Sequence, residues 1–365
     1  MKAGIIGCGV ISEIYLKNLT ERYANPEIVA CADLFMEKAR ERAEQFGIQA
    51  MTVDEMMADP QIDLILNLTT PLQHAEISLR ALENGKHVYC EKPLAVSVED
   101  GRRIMEKAAE KGLQVGCAPD TFLGAGVQTA LKALRDGWIG QPVAAVGFFS
   151  CRGHERWHGN PGFYYQKGGG PHFDMGPYYL TALCAAFGRV KRVNALSRRT
   201  FPERLVTASG PNHGKVIPVE VDTHLSVSLE FDCGVIATMM LSFDVWSTDL
   251  PCMEFYGTAG TISVPDPNFF EGPVKLRSLY DEEAKELPLV NPYHENARGI
   301  GLAQMCQAIE KGEPVCAGGQ QGLHVLEVIE AIDRAGRTGE CVEIESGYTA
   351  PELLPQGRLE PEYKL

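Results

Sequence analysis

The sequence has little positive charge and nowhere concentrates it: 34 Lys and Arg stand against 48 Asp and Glu, a net charge of −14. Gripping a phosphate backbone or an anionic bilayer takes clustered Lys and Arg, so nucleic acid and membrane surfaces are excluded as main partners. No apolar stretch approaches the ~18 residues that a membrane-spanning helix needs. The N-terminus runs straight into a strand-like segment, without the charged region, apolar core and cleavage site of a secretory signal. The eleven cysteines are an odd number with no C-x-x-C pair and no regular framework. That pattern reads as reduced thiols in a cytoplasm. There is no internal repeat and no low-complexity tract. Asn67-Leu-Thr69 matches a glycosylation acceptor, which has no meaning at a cytoplasmic strand end.

What is present is ordinary in amount and informative in order. The 365 residues, 45% apolar and 22% charged, suffice for two soluble domains with substantial cores. Ala3 to Gly7 is a short apolar strand, and Ile11 to Tyr23 carries Ile11, Tyr15 and Leu19 at helical spacing. Glu27 to Asp33 is β-like, Met36 to Phe46 helical, and Asp63 to Leu68 a continuous apolar run of the buried parallel type. Gln73 to Asn84 is helical and stops at Gly85, and Ser97-Val-Glu-Asp100 opens a helix through Lys111 as a capping box does. Gln114 to Cys117 gives a sixth strand. Strand–helix alternation with short connections predicts an α/β fold whose N-terminal part is a Rossmann-type, doubly wound parallel sheet.

The first turn of that sheet, Gly7-Cys-Gly9-Val10-Ile11-Ser12, lies between a strand and a helix, as a dinucleotide fingerprint requires. Gly7 permits the tight turn, and Gly9, Val10 and Ile11 bring a pyrophosphate to the backbone at the helix N-terminus. Asp33 ends the second strand, where a carboxylate binds an adenosine ribose diol and repels a 2′-phosphate. Leu34 supplies no compensating cation, so NAD is preferred over NADP. An Asp that merely caps a turn is the bland alternative.

After residue 118 the pattern changes. Val143 to Cys151, Val219 to Phe231, Val235 to Trp246 and Met253 to Val264 are alternating or β-branched, with Phe231-Asp-Cys-Gly234 as a hairpin turn. Helices are expected at Met175 to Phe187, Arg298 to Lys311 and Gln320 to Gly336. The predicted organisation is a domain over 1–118, a second α/β domain over 119–345 built on a large open, mostly antiparallel sheet, and a tail over 346–365. The end of the chain is expected to return to the first domain.

Glu91-Lys92-Pro93 closes the apolar run His87-Val-Tyr-Cys90, where a parallel strand would meet a cofactor crevice. In isolation such a tripeptide is a solvated turn. The other dense segment is Gly168-Gly-Gly-Pro-His172-Phe-Asp174-Met-Gly-Pro-Tyr178, in which Asp174 and Tyr178 share one face of a helix start. Taken alone it reads as a cap and a packed tyrosine.

Taken together, Gly7-x-Gly9, Thr70-Pro71 with His74, Gly85-Lys-His-Val, Glu91-Lys92-Pro93 and the glycine-rich Asp174 helix resemble, in matching order and to about residue 345, the Gfo/Idh/MocA family of sugar and polyol oxidoreductases. The resemblance implies a homo-oligomer (dimer, tetramer or higher) and oxidation of a secondary hydroxyl with a nicotinamide cofactor. It implies that Lys92 contacts the reacting hydroxyl and the cofactor ribose. Thr69, Thr70, Pro71, His74 and Glu91 would line the dinucleotide, and Asp174 would bind substrate. Two departures stand out. The family often has a histidine four residues after the Asp, and here that position is Tyr178. An Arg-Phe pair often follows the sixth strand, where this chain reads Pro119-Asp120-Thr121-Phe122 and places Asp120 toward substrate. A tyrosine titrates near ~10 and a histidine near ~6.5, so the base is either Lys92 with a lowered pKa or another histidine. His158 and His172 are the candidates, with His154 behind them.

Gly153-His154-Glu155-Arg156-Trp157-His158 resembles a subgroup that includes oxidases of glycoside glucosyl groups at C3. A loop with this composition suits sugar binding through Trp157 stacking and Arg156 and histidine hydrogen bonds. The same residues match the zincin motif H-E-x-x-H, but that chemistry needs a helix, and Gly159-Asn-Pro-Gly162 follows. No metal is expected. The alternatives to a dehydrogenase of sugars, polyols or glycosides are an NAD-using glycosidase or lyase acting through transient C3 oxidation, and a noncatalytic NAD-binding sensor.

Overall fold

A computed structural model of the chain describes residues 1–357. Its N-terminal part is a six-stranded parallel sheet of order β3-β2-β1-β4-β5-β6. The strands are β1 (Lys2–Ile6), β2 (Glu27–Ala32), β3 (Gln49–Ala50), β4 (Leu64–Asn67), β5 (His87–Cys90) and β6 (Val115–Cys117). Between them run α1 (Ser12–Glu21), α2 (Met36–Phe46), α3 (Val53–Ala58), α4 (His74–Glu83) and α5 (Val98–Lys111). Strands β4 and β5 are short and almost wholly buried, since helices cover both faces. The Ser97 hydroxyl accepts the Asp100 N–H and caps α5. The order reverses at β1 and β4, so the carboxyl ends of these strands open the crevice where doubly wound sheets bind ligands.

The second part is a nine-stranded sheet of order β16-β15-β14-β13-β7-β12-β11-β8-β17. Its members are β7 (Pro142–Ser150), β8 (Val190–Arg198), β11 (His224–Phe231), β12 (Ile236–Ser242), β13 (Met253–Gly257), β14 (Gly260–Val264), β15 (Lys275–Ser278), β16 (Lys285–Glu286) and β17 (Val342–Glu343). Only β7 and β12 pair in parallel; the other neighbours are antiparallel. A two-stranded ribbon, β9 (Glu203–Leu205) with β10 (Val216–Pro218), stands apart. The helices are α6 (Ala125–Arg135), α7 (Pro171–Asp174), α8 (Gly176–Phe187), α9 (Ile300–Lys311) and α10 (Gly319–Thr338).

Several expectations need correction. The stretch from Val219 is not one strand: residues 219–223 loop before β11 begins at His224. The stretch from Met253 folds back on itself as the β13–β14 hairpin. Strand β8 went unread because Lys191 and Arg192 are both exposed where the register shifts, which interrupts the alternation between buried Val190 and buried Val193. Helix α6, buried from Ala125 to Leu134 save Lys132, was not anticipated either.

The two parts share one hydrophobic cluster that runs from β1 through β5 and α8 to α10. The chain does return to the first sheet: Cys117 N–H donates to Ala317 O, and Gly116 bridges Gly318. Of the expected tail, residues 346–357 lie along α6 and α10, with Leu354 N–H on Gln128 and Arg135 on Pro351 O. The remainder, 358–365, is outside the described residues.

Candidate active site

Two walls meet at the carboxyl ends of β4 and β5. The first is made largely of backbone. Gly7 has φ of 106°, and a Cβ there would sit 2.5 Å from Leu68 O, so only glycine passes. Gly9 faces open space. The N–H groups of Gly9, Val10 and Ile11 find no acceptor among the described residues, and they precede α1 as an anion-binding terminus does. Ser12, fully buried, closes the turn through its hydroxyl on Gly9 O. Asp33 leaves β2 beside this turn; its two oxygens accept the Cys8 and Phe35 N–H groups at 2.8 and 2.9 Å. The open cradle, the free amides and the carboxylate fit a dinucleotide.

Thr69, Thr70 and Pro71 continue this wall at the end of β4, with the Thr69 hydroxyl on Asn67 Oδ1 at 2.7 Å. His74 does not reach the crevice. It is 1% exposed, with Nδ1 2.6 Å from Pro93 O and Nε2 3.1 Å from Thr69 O. Burial lowers its pKa, although both carbonyls favour the protonated ring. It therefore ties the Thr69 loop to the Lys92 loop from behind.

The second wall is made of side chains brought from far along the chain. Lys92 Nζ donates to Asp174 O at 2.6 Å and to Asp174 Oδ1 at 3.1 Å, and lies 5.0 Å from the Tyr178 ring centroid. Burial alone would lower its pKa, but Tyr178, Asp174 and Glu91 outweigh burial and hold the ammonium above its usual range. A lowered Lys92 is one of two expected routes to a base and is tied to a neighbouring nicotinamide cation; the protein's own groups push the other way. Burial would likewise raise Asp174, yet Lys92 and His154 pull it down to about 2, so the carboxylate is ionised. Glu91 stands alongside, accepting the Tyr15 hydroxyl at 2.8 Å and the Lys92 N–H at 2.9 Å.

A hydrogen-bond chain leads outward from Asp174. His154 Nε2 lies 3.0 Å from Asp174 Oδ2, and His154 Nδ1 accepts the Trp157 indole N–H at 3.1 Å. An indole can only donate, so the neutral ring carries its proton on Nε2 and gives it to Asp174. His158 is arranged similarly: Nδ1 accepts the Asn160 N–H at 3.1 Å, and burial first, then His154, lowers its pKa. Its free edge is a donor, and its lone pair is already engaged. Tyr178 Oη has no hydrogen-bond partner among the described residues, and burial raises its pKa against the pull of Lys92.

Other expected residues are placed elsewhere. Asp120 is 1% exposed and accepts the Gly299 and Gly301 N–H groups at 2.8 and 3.1 Å, capping α9. His172 is turned from Asp174 into a separate groove, with Nε2 3.9 Å from Asp333. Arg156 lays its guanidinium 4.3 Å over the Trp246 ring. The H-E-x-x-H residues form a single 3-10 turn at 154–156, and Glu155 faces inward to the Tyr165 hydroxyl and Arg204, opposite to His154. That splits the zincin arrangement.

Two groups in the cleft went unread. Tyr164 packs on His154 at 4.1 Å, and its hydroxyl interacts with Asp174 and Lys92. Arg298 comes from the segment before α9, bonds Asn268 and Asn296, and faces Tyr178, Tyr15 and Glu91. No local sequence pattern marks either residue.

A model of the Gfo/Idh/MocA oxidoreductase family with an NAD-binding Rossmann fold matches residues 1–118, and one of the Gfo/Idh/MocA C-terminal domain matches 127–263. The chain is 27% identical over 349 residues to a 1,5-anhydro-D-fructose reductase of Ensifer adhaerens, covering 94% of this chain and 98% of that one. It is 29% identical over 157 residues to a scyllo-inositol 2-dehydrogenase (NAD(+)) of Bacillus subtilis, a match spanning 42% of this chain and 45% of the relative. The fold is that of levoglucosan dehydrogenase solved with NADH and levoglucosan: TM-score 0.80 at 21% identity, over 95% of this chain and 99% of the other.

Proposed function

This chain belongs to the Gfo/Idh/MocA family of oxidoreductases with an NAD-binding Rossmann fold, and from that premise we propose that it oxidises a secondary hydroxyl of a sugar, polyol or glycoside. The observation that carries the reading is Lys92, an ammonium held by Asp174 and set over the Tyr178 ring at the carboxyl end of β5. The curated names of the relatives, a reductase of an anhydro-sugar and a dehydrogenase of an inositol, support the substrate class.

Gly7, Gly9, Val10 and Ile11 would hold the pyrophosphate, Asp33 the adenosine ribose, and Thr69, Thr70, Pro71 and Glu91 the remainder of the dinucleotide. Bound NAD supplies the acceptor for the hydride. A carboxylate at Asp33, with Leu34 after it, favours NAD over NADP. Lys92 donates to the reacting oxygen and stabilises the negative charge that develops there. Asp174, ionised and backed by His154, accepts hydrogen bonds from neighbouring hydroxyls. Tyr178, whose Oη is uncommitted while the lone pairs of His154 and His158 are taken, would relay the substrate proton by releasing its own proton to solvent as it takes up the substrate's. The C3 carbon of a glucosyl group is the finer assignment, suggested by the 153–158 loop.

The exposed face of the nine-stranded sheet carries Leu196 and Ile236 at 73% and 56% exposure, which supports self-association. Eleven free thiols support a reducing, cytoplasmic setting. The test is reduced-nicotinamide absorbance across free sugars, inositols and glycosides, with Lys92→Ala alongside. Turnover that survives intact in Lys92→Ala would remove the mechanism; glycoside consumed without accumulating NADH would point to elimination after transient oxidation.

A further inference from the structure

The residues beyond Asp174 form a closed circuit of five aromatic rings. Centroid separations run 5.3 Å from His154 to Trp157, 5.3 Å on to His158, 5.4 Å to Phe163, 4.0 Å to Tyr164 and 4.1 Å back to His154. The inner side of the circuit belongs to the reacting centre: His154 is hydrogen-bonded to Asp174, and Tyr164 interacts with Lys92. The outer side does not. Among the described residues Trp157 is 63% and Phe163 51% exposed.

Exposed aromatic rings of this size are ordinarily turned inward, because each one left in water forgoes its hydrophobic transfer. Here they are also fixed. The Trp157 indole is held by its bond to His154 Nδ1, and the loop below is anchored by Glu155, whose carboxylate takes Tyr165 and the buried Arg204 and whose carbonyl accepts the Thr207 and Ala208 N–H groups. A rigid, solvent-facing aromatic ledge continuous with a polar hydroxyl-binding centre is what a sugar ring stacks on, with its C–H face on the rings and its hydroxyls toward water. A single pyranose engaged by Lys92 and Asp174 would use the inner side and leave the ledge empty.

We infer that the substrate has two rings: the ring to be oxidised lies against Lys92, Asp174 and Tyr178, and a second sugar or aromatic aglycone stacks on Trp157 and Phe163. The inference rests on the dehydrogenase reading and narrows it from sugars and polyols in general to disaccharides and aryl glycosides. His158, whose free edge donates, reaches a hydroxyl of the second ring or the glycosidic oxygen.

The experiment measures kcat/KM with NAD for a glucosyl disaccharide and a phenyl glucoside against methyl glucoside, glucose and myo-inositol. The wild-type protein is expected to favour the two-ring substrates by at least roughly tenfold, the scale of one filled apolar contact. Phe163→Ala should collapse that ratio through KM, and Trp157→Phe, which keeps a ring but loses the N–H, should retain more of the ratio than Trp157→Ala. Circular dichroism checks that these surface variants fold. Equal use of one-ring and two-ring substrates by the wild type, or a Phe163→Ala effect uniform across the panel, overturns the ledge assignment while leaving the dehydrogenase reading in place. Absence of turnover on every compound, with NAD binding retained, overturns the dehydrogenase reading and this inference with it.

Discussion

The two walls of the cleft are built on different principles. The wall proposed for the cofactor is largely backbone: a glycine at a positive φ where a Cβ would meet Leu68 O, three amides before α1 unpaired among the described residues, and one carboxylate pinned by main-chain donors. The substrate side is side chains, with Lys92 from the end of β5 meeting Asp174 and Tyr178 from 82 and more residues later, and His154 and Tyr164 from the intervening loop. A wall made of backbone recognises what is common to every dinucleotide, and changes little without losing the fold. A wall made of side chains can be rewritten residue by residue, which is where substrates are distinguished.

The largest effect should come from breaking the substrate wall alone. Lys92→Ala is expected to lower kcat by about 10²–10⁴-fold, the range of a lost general acid–base or charge-stabilising contact, while NAD affinity measured by fluorescence quenching stays within a few-fold. A parallel loss of NAD affinity would mean that the walls are not separable. Gly7→Ala breaks the other wall: the clash with Leu68 O and the positive φ should cost about 1–3 kcal/mol in urea unfolding and remove NAD binding.

Asp120 lies where the walls share support, and it makes a pH-dependent contribution. Burial raises it from 3.8 to about 6, offset in part by Gly301, Arg298 and Gly299. A folded-state pKa above the unfolded value means the native state binds the extra proton. The resulting stabilisation is full below pH 4 and is lost as pH rises through 6. Subtracting the pH profile of Asp120→Asn from that of the wild type isolates this contribution, expected to fall by about 3 kcal/mol between pH 4 and 7, while the buried His172 and His324, lowered to about 4, act in the opposite direction in both proteins. The smallest effect is expected at Asp33, where Asp33→Ser should shift the NAD/NADP preference by roughly tenfold without altering kcat with saturating NAD.

Much of the cofactor wall was legible because its signals are local. Strand, glycine turn, helix and acidic strand end occupy residues 2–33 in order, and the chain's own periodicity locates them. Lys92 and Asp174 were found because each closes a distinctive short motif. Their partners were harder. His74 has the spacing of a crevice residue but faces two carbonyls behind the wall, and Asp120 has the composition of a ligand but caps α9 from another domain. His172 sits two residues from Asp174 on a helix of one turn, and that offset sends it to the opposite side. Arg298 meets Tyr178, Tyr15 and Glu91 only through the tertiary approach of distant segments, and Tyr164 is set by the folding of the 154–174 stretch over Lys92. Sequence periodicity cannot encode which distant face a side chain will meet.

The strand of chain at 296–301 closes the account of how these walls are held. Asn18 Nδ2 donates to Asn296 O and Arg298 O, Tyr23 Oη to Ala297 O, and Asp120 takes the Gly299 and Gly301 amides. With the apolar core running unbroken across the same seam, these bonds work like stitching through a filled joint. Opening this seam would have to break these bonds and part the core behind them, whereas substitutions on the 154–164 face leave every one of these ties in place.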